Sequence, residues 1–127
     1  MENKICVWFL TVTGSGVDLL RFDREFDQNG AGYSIDNLYP TPAGLNDNDA
    51  YSWRNSNWGT PWDIHKCFVS KQGDRFEYVI KTLWEAPQGS VLEVSKRYPR
   101  LCFDMSYGTY IDECKTTIEN GEAVRVE

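Results

Sequence analysis

The chain is poor in the residues that metal and nucleophile chemistry require. It has one histidine, His65, so no histidine pair can anchor a zinc set. No serine or cysteine stands beside His65 in a nucleophile motif. The four cysteines, Cys6, Cys67, Cys102 and Cys114, contain no CxxC unit, which removes the spacing of zinc ribbons and redox motifs. A site built from Cys67, Cys102 and His65, or from Asp104, Asp112 and Glu113, is weaker than the ordinary reading of these residues as strand and surface positions. No apolar run approaches the roughly 20 residues that cross a bilayer. Lys4 is not followed by a long apolar stretch and a cleavage site, so no signal peptide is expected. Thr13-Gly-Ser-Gly16 lacks the third glycine and the lysine of phosphate-binding fingerprints. It offers only a helix start, a weak anion signal. These absences lead to the expectation of a soluble, cytosolic protein with free thiols, no cofactor and no catalytic residue.

Basic residues are missing from one third of the chain. Residues 25–63 carry Glu25, Asp27, Asp36, Asp47, Asp49 and Asp63 against Arg54 alone, a net of −5 within an overall −6. Residues 64–109 are net +2 and residues 110–127 net −3. An acidic face repels phosphate backbones and suits partners with basic surfaces.

Aromatic residues are abundant instead, at 14%. Three of the five tryptophans, Trp53, Trp58 and Trp62, fall within Ser52-Trp-Arg-Asn-Ser-Asn-Trp-Gly-Thr-Pro-Trp-Asp63. Gly59 and Pro61 break any long helix there, while the indoles demand burial with a partner for each N–H. The segment reads as a packed loop in which Trp58, Gly59 and Trp62, with Trp84 against them, hold structure. Asp47, Asp49, Tyr51, Trp53, Arg54 and Asp63 are the candidate binding residues around it.

The hydrophobic pattern predicts one domain over 1–127 with an insertion at about 33–63. Ile5–Val12 reads as a buried strand. Ser15 caps a helix whose apolar side is Leu19, Leu20, Phe22 and Phe26, with Asp18, Arg21, Asp23, Arg24 and Glu25 exposed, stopping near Asn29-Gly30. Tyr33–Leu38 reads as a short strand, and a short helix is expected around 47–55. Ile64–Ser70 and Arg75–Trp84 form a hairpin turning at Gln72-Gly73-Asp74. Pro87 opens a second helix running to about Tyr98. Leu101–Tyr107 is a strand, and a last hairpin over 112–126 turns at Asn120-Gly121. This order predicts an α+β, ferredoxin-like split βαβ sandwich. Two helices cover one face of an antiparallel sheet, and the other face is open or covered by the insertion.

Four segments carry a family resemblance. Asn57-Trp-Gly-Thr-Pro-Trp-Asp63 resembles the NWGTKWD signature of the YubB-like ferredoxin-fold domain of phages and conjugative plasmids. Asn37-Leu-Tyr-Pro-Thr-Pro42, Leu83-Trp-Glu-Ala-Pro87 and Arg97-Tyr-Pro-Arg-Leu101 are similar to further segments of that family, in order, over about residues 3–124. The chain departs from the pattern at Pro61, at Glu85 and after Tyr107. The resemblance implies the fold and a mobile-element origin, and little chemistry.

The expected function is that of a non-enzymatic interaction protein. It would inhibit a host-defence or nucleic-acid-binding complex, such as a CRISPR effector, by occupying a basic surface. No direct DNA binding, no membrane association and a monomer or homodimer are expected with it. The alternative is a small-ligand or nucleotide-binding module, with the insertion closed over the open sheet face and Trp53, Arg54 and His65 at its mouth.

Overall fold

The computed structural model describes residues 5–83, 86–108, 113–119 and 122–126; from Tyr107 onward, Ile118 apart, it describes the backbone alone. The elements are β1 (Ile5–Thr13), α1 (Gly16–Asp27), α2 (Ile35–Leu38), α3 (Asp47–Asn57), β2 (Lys66–Gln72), β3 (Arg75–Leu83), α4 (Gln88–Arg97), β4 (Cys102–Gly108), β5 (Glu113–Glu119) and β6 (Glu122–Val126). The strands form one sheet in the order β2-β3-β1-β4-β5-β6, with every neighbouring pair antiparallel. The first four strands have the ferredoxin-like order, and β5 and β6 extend the sheet beyond β4. The fold class expected from the sequence is the one observed.

Period-two alternation explains the sheet. Cys6, Trp8, Leu10 and Val12 of β1 point to the helical side with Phe76, Tyr78, Ile80 and Thr82 of β3, and all are buried. α1 and α4 cover them with Leu19, Phe22, Phe26, Val91, Val94 and Tyr98. Phe22 is central: its ring meets Phe26, Tyr78, Tyr98 and Phe103 at centroid separations of 5.4–5.9 Å.

Helix α1 departs from its expected pattern. Asp18 and Asp23, expected on the exposed side, are only 6% and 4% exposed, whereas Leu20 is exposed. Asp18 is held by Ser15, whose Oγ donates to Oδ2 at 2.9 Å, and by Arg100 at 2.8 Å. Asp18 stands in the first turn of the helix that the sequence offered to an anion, and its own N–H is capped by Ser15 Oγ at 3.3 Å. Asp23 accepts from the phenols of Tyr33 at 2.7 Å and Tyr78 at 2.8 Å, and pairs with Lys71 at 2.7 Å. A helical-wheel reading places charge outside by default, and it cannot anticipate partners from distant strands.

Tyr33–Leu38 is not a strand. Residues 35–38 form the short helix α2, with Ser34 at its N-cap accepting from the Asp36 N–H. The helix wins because a carboxylate, from Asp63, also receives its first N–H groups.

The insertion packs on the helical layer, where α2 touches α1 and α4 and α3 touches α4. The open face of the sheet is therefore not covered by the insertion, contrary to the second functional reading above. No described helix is long and apolar enough to cross a membrane.

Cys6, Cys67 and Cys102 form no disulfide. The side chain of Cys114 lies outside the described residues. Burial, reinforced by Asp23 and Asp27, pushes the Cys67 thiol up to about 12. The thiolate is the reacting species, so at pH 8 Cys67 should alkylate at least ~100-fold more slowly in the native protein than in the unfolded chain. Site-resolved mass spectrometry of iodoacetamide labelling checks this; equal rates would show the thiol to be open to solvent.

Candidate functional site

The candidate site is the surface of the insertion, and its frame is built from capped helix ends. The Asp63 carboxylate accepts from Ser34 Oγ at 2.7 Å, the Ile35 N–H at 2.7 Å, the Asp36 N–H at 3.3 Å and the Ile64 N–H at 2.6 Å. It thereby fastens the end of the insertion to the start of α2, satisfying donors that a helix leaves unpaired. From the other side, Arg97 of α4 donates to the Leu38 carbonyl and pairs with Glu25 at 2.6 Å. Helix α3 begins at Asn46, whose side chain accepts from the Asp49 N–H at 2.8 Å. Asp47 and Asp49 lie in its first turn, where negative charge is favoured by the helix dipole.

Trp58 is the pin. It is 1% exposed, and its Nε1 donates to the Tyr39 carbonyl at 2.9 Å. Trp53 meets its ring edge-on at 6.5 Å and itself packs on Tyr39 at 5.1 Å. The Arg54 guanidinium lies 5.8 Å from the Trp58 ring centroid, and its Nε donates to the Pro61 carbonyl at 3.0 Å. Gly59 follows with φ of +89°, a left-handed conformation that favours glycine. Helix α4 reaches Trp58 through Gly89: a Cβ there would stand 2.4 Å from the Asn57 carbonyl oxygen. The same close approach lets the Ser90 N–H donate to the Trp58 carbonyl at 3.3 Å.

The outer surface differs in kind. No residue of α3 is buried. Tyr51 and Trp62 meet edge to face at 5.8 Å, yet remain 47% and 38% exposed. Between α2, α3 and the loop runs an open groove of about 590 Å³, lined by Asp36, Thr41, Arg54, Trp58, Pro61, Trp62 and Asp63.

The ten residues singled out from sequence thus divide differently from the expectation. Asp47, Asp49 and Tyr51 are on the exposed surface. Trp62, expected to hold structure, joins them in an exposed aromatic pair. Asp63 and Arg54, expected to bind, are committed to the fold by their hydrogen bonds, and Trp53 is half-buried in the tryptophan cluster. Trp58 and Gly59 form the loop itself. Trp84 lies outside the described residues, as does Asp112 with the side chain of Glu113. His65 is exposed at the entry to β2, where its backbone N–H donates to the Lys81 carbonyl at 2.8 Å, and it does not line the groove. Among the described residues no group of three or more His, Cys, Asp or Glu side chains could hold a metal ion. The sequence reading missed Ser34, Asn46 and Gly89. Asn46-x-x-Asp49 is a legible capping signal; Gly89 has none, because its constraint is a carbonyl 32 positions earlier.

No protein-family model matches the chain, and no curated protein is similar to it in sequence. Its fold is similar to the crystal structure of protein api92 from Yersinia pseudotuberculosis, of the DUF1281 family model, with a TM-score of 0.60 and 10% sequence identity. The likeness covers 73% of this chain and 38% of that one. The chain thus spans less than half of that protein's length, and the likeness at this identity is one of fold alone.

Two substitutions test the frame. Trp58→Ala should cost on the order of 3–5 kcal/mol of stability, as for a buried aromatic residue cut to alanine. Asp63→Ala should cost about 2–3 kcal/mol, since it strands backbone donors of α2 at a partly buried site. Urea unfolding monitored by tryptophan fluorescence checks both. Unchanged midpoints would place these side chains on the surface.

Proposed function

We propose that this domain is a non-enzymatic interaction module whose working surface is the insertion. The observation that carries the reading is the exposed Tyr51–Trp62 pair on the same insertion as the unburied acidic turn of Asp47 and Asp49. Solvent-exposed aromatics held rigid by packing are the side chains that anchor protein interfaces. Neighbouring carboxylates select a partner of opposite charge and accelerate its approach. The partner class that fits is a protein or protein–nucleic-acid complex with a basic surface. The resemblance to phage and plasmid proteins points to a host-defence complex that such a module would inhibit by filling its nucleic-acid groove.

Asp47→Asn with Asp49→Asn should lower stability by no more than about 1–2 kcal/mol, because both side chains are exposed and only their interaction with the helix dipole is lost. The same change should slow association with the partner and flatten its salt dependence. Tyr51→Ala with Trp62→Ala should instead speed dissociation. Affinity capture from host lysate, followed by binding kinetics on the recovered partner, measures all three. Capture of the same proteins by the quadruple variant and by the parent would sink the proposal.

The groove supports a second reading, because the exposed Trp62 ring lines it and offers a face on which a planar ring could stack. Thermal shifts with nucleotides separate the two readings: stabilisation at millimolar nucleotide, abolished in Trp62→Ala, would favour the ligand site.

A further inference from the structure

The sheet has a second chemistry on the side away from the helices. Successive residues of a strand alternate faces, so the register defines three rows across β2, β3 and β1 on the open side. The middle row is apolar: Phe68 pairs with Val79, and Val79 with Phe9. Phe68 is 57% exposed and Phe9 49%. Ile5, exposed, pairs with Leu83 at the end of the same side. Two residues to one side lies a basic row, in which Lys66 pairs directly with Lys81. Two residues to the other lies an acidic row, with Glu77 paired to Thr11 and Thr11 to Asp104. Nothing among the described residues covers this side.

Two features of these rows point to what does. Lys66 and Lys81 are like charges directly opposite each other, which destabilises a sheet, and neither makes an ion pair among the described residues. Glu77 pairs with Arg75 through Oε1 alone. The lysines therefore stand on one side of the apolar stripe, and Glu77 and Asp104 on the other, where Arg75 accompanies Glu77. A two-fold rotation about an axis along that stripe exchanges the basic and acidic rows. It lays Phe68, Val79 and Phe9 on their own counterparts and places Lys81 of one copy over Glu77 of the other.

We infer that the open sheet face is an interface between two copies of this chain. The copies associate sheet to sheet about that axis, closed by apolar contact and registered by reciprocal Lys81–Glu77 pairs. Such an interface is isologous and stops at two copies. Sheets packed this way lie about 10 Å apart with interdigitating side chains. Three strands at about 4.8 Å spacing present a modest patch, toward the low end of the range for specific interfaces, so the dimer should assemble at micromolar rather than nanomolar concentration. The helical layers and both insertions face outward, so self-association leaves the surface proposed above free.

Sedimentation equilibrium of the full chain from about 1 μM to about 1 mM is the test, read against the monomer mass of 14.7 kDa. The parent should pass from monomer to dimer across this range. Phe68→Ser should remove the dimer while leaving the dilute monomer folded with only a small downward shift of its melting curve, since the ring is more than half exposed and loses only its pair with Val79. Lys81→Glu and Glu77→Lys should each weaken the dimer about tenfold or more, because each sets like charges together at the contact. The double variant Lys81→Glu with Glu77→Lys should return to within about threefold of the parent, as a reciprocal pair requires. A parent that stays monomeric throughout overturns the inference. So does a dimer insensitive to Phe68→Ser, or a double variant that fails to recover. A monomer that instead binds oligothymidylate, and loses it in Phe68→Ser, would give this face to single-stranded nucleic acid and overturn it equally.

Discussion

The Asp23 carboxylate is the contact on which the arrangement of layers depends. A buried charge is tolerable only when its lone pairs are satisfied and an opposite charge stands near. Asp23 meets that requirement with groups from three other segments: Lys71 from β2, Tyr78 from β3 and Tyr33 from the chain leaving α1. The geometry of all four segments is fixed together, because moving any one strands a carboxylate in the core. The phenols record the environment. Burial first, and then Asp23, raise the Tyr33 and Tyr78 hydroxyls well above their ordinary range. Both remain proton donors across the physiological range, as the network needs. Directional bonds of this kind specify position, while the surrounding rings of Phe22, Phe26 and Phe103 supply the apolar burial that stabilises it.

The insertion hangs from that frame by two further constraints. Tyr33, fixed by Asp23, precedes Ser34 and α2, so the start of the insertion is placed by the core. Asp63 then closes the far end onto α2, and Trp58 pins the middle against α4 through the gap at Gly89. A segment that buries no residue of its own longest helix is held by its ends and by one indole. That division explains how α3 can keep Asp47, Asp49 and Tyr51 exposed without becoming a disordered loop: the ordering free energy comes from other residues, Trp53 and Arg54 of the same helix among them.

How much of this was legible follows from the range of each signal. Ser15, Pro87 and the alternation through β1 and β3 are local, and they define elements whose inward residues the structure buries. The aromatic density of residues 52–63 marks a packed segment for the same reason, although residues 52–57 complete α3 and only 58–63 are loop. What escaped depends on partners far along the chain. Asp18 and Asp23 read as solvent-facing because nothing nearby in sequence announces Arg100 or Tyr78. Tyr33–Leu38 read as a strand because the decisive carboxylate stands 28 positions from Ile35. Asp63 and Arg54 read as binding residues because a charge beside tryptophans looks free until its hydrogen bonds are known. Trp62 went the opposite way, since composition does not distinguish the indole that is buried from the one left at the rim.

The same reasoning separates the two outward surfaces. One sheet face is covered by helices, and the insertion joins that layer, so every carboxylate of the insertion lies on the helical side. The bare face keeps Lys66 of β2 and Lys81 of β3 beside its apolar row. A net charge of −6 is therefore a poor description of what an approaching molecule meets. On the helical side it meets carboxylates and two aromatic rings held in place. On the sheet side it meets an apolar stripe flanked by opposite signs, a pattern complementary to itself. Within a Debye length of about 8 Å at physiological salt, local pattern outweighs total charge. What each side of the molecule presents is thus set by where its charges lie and not by their sum.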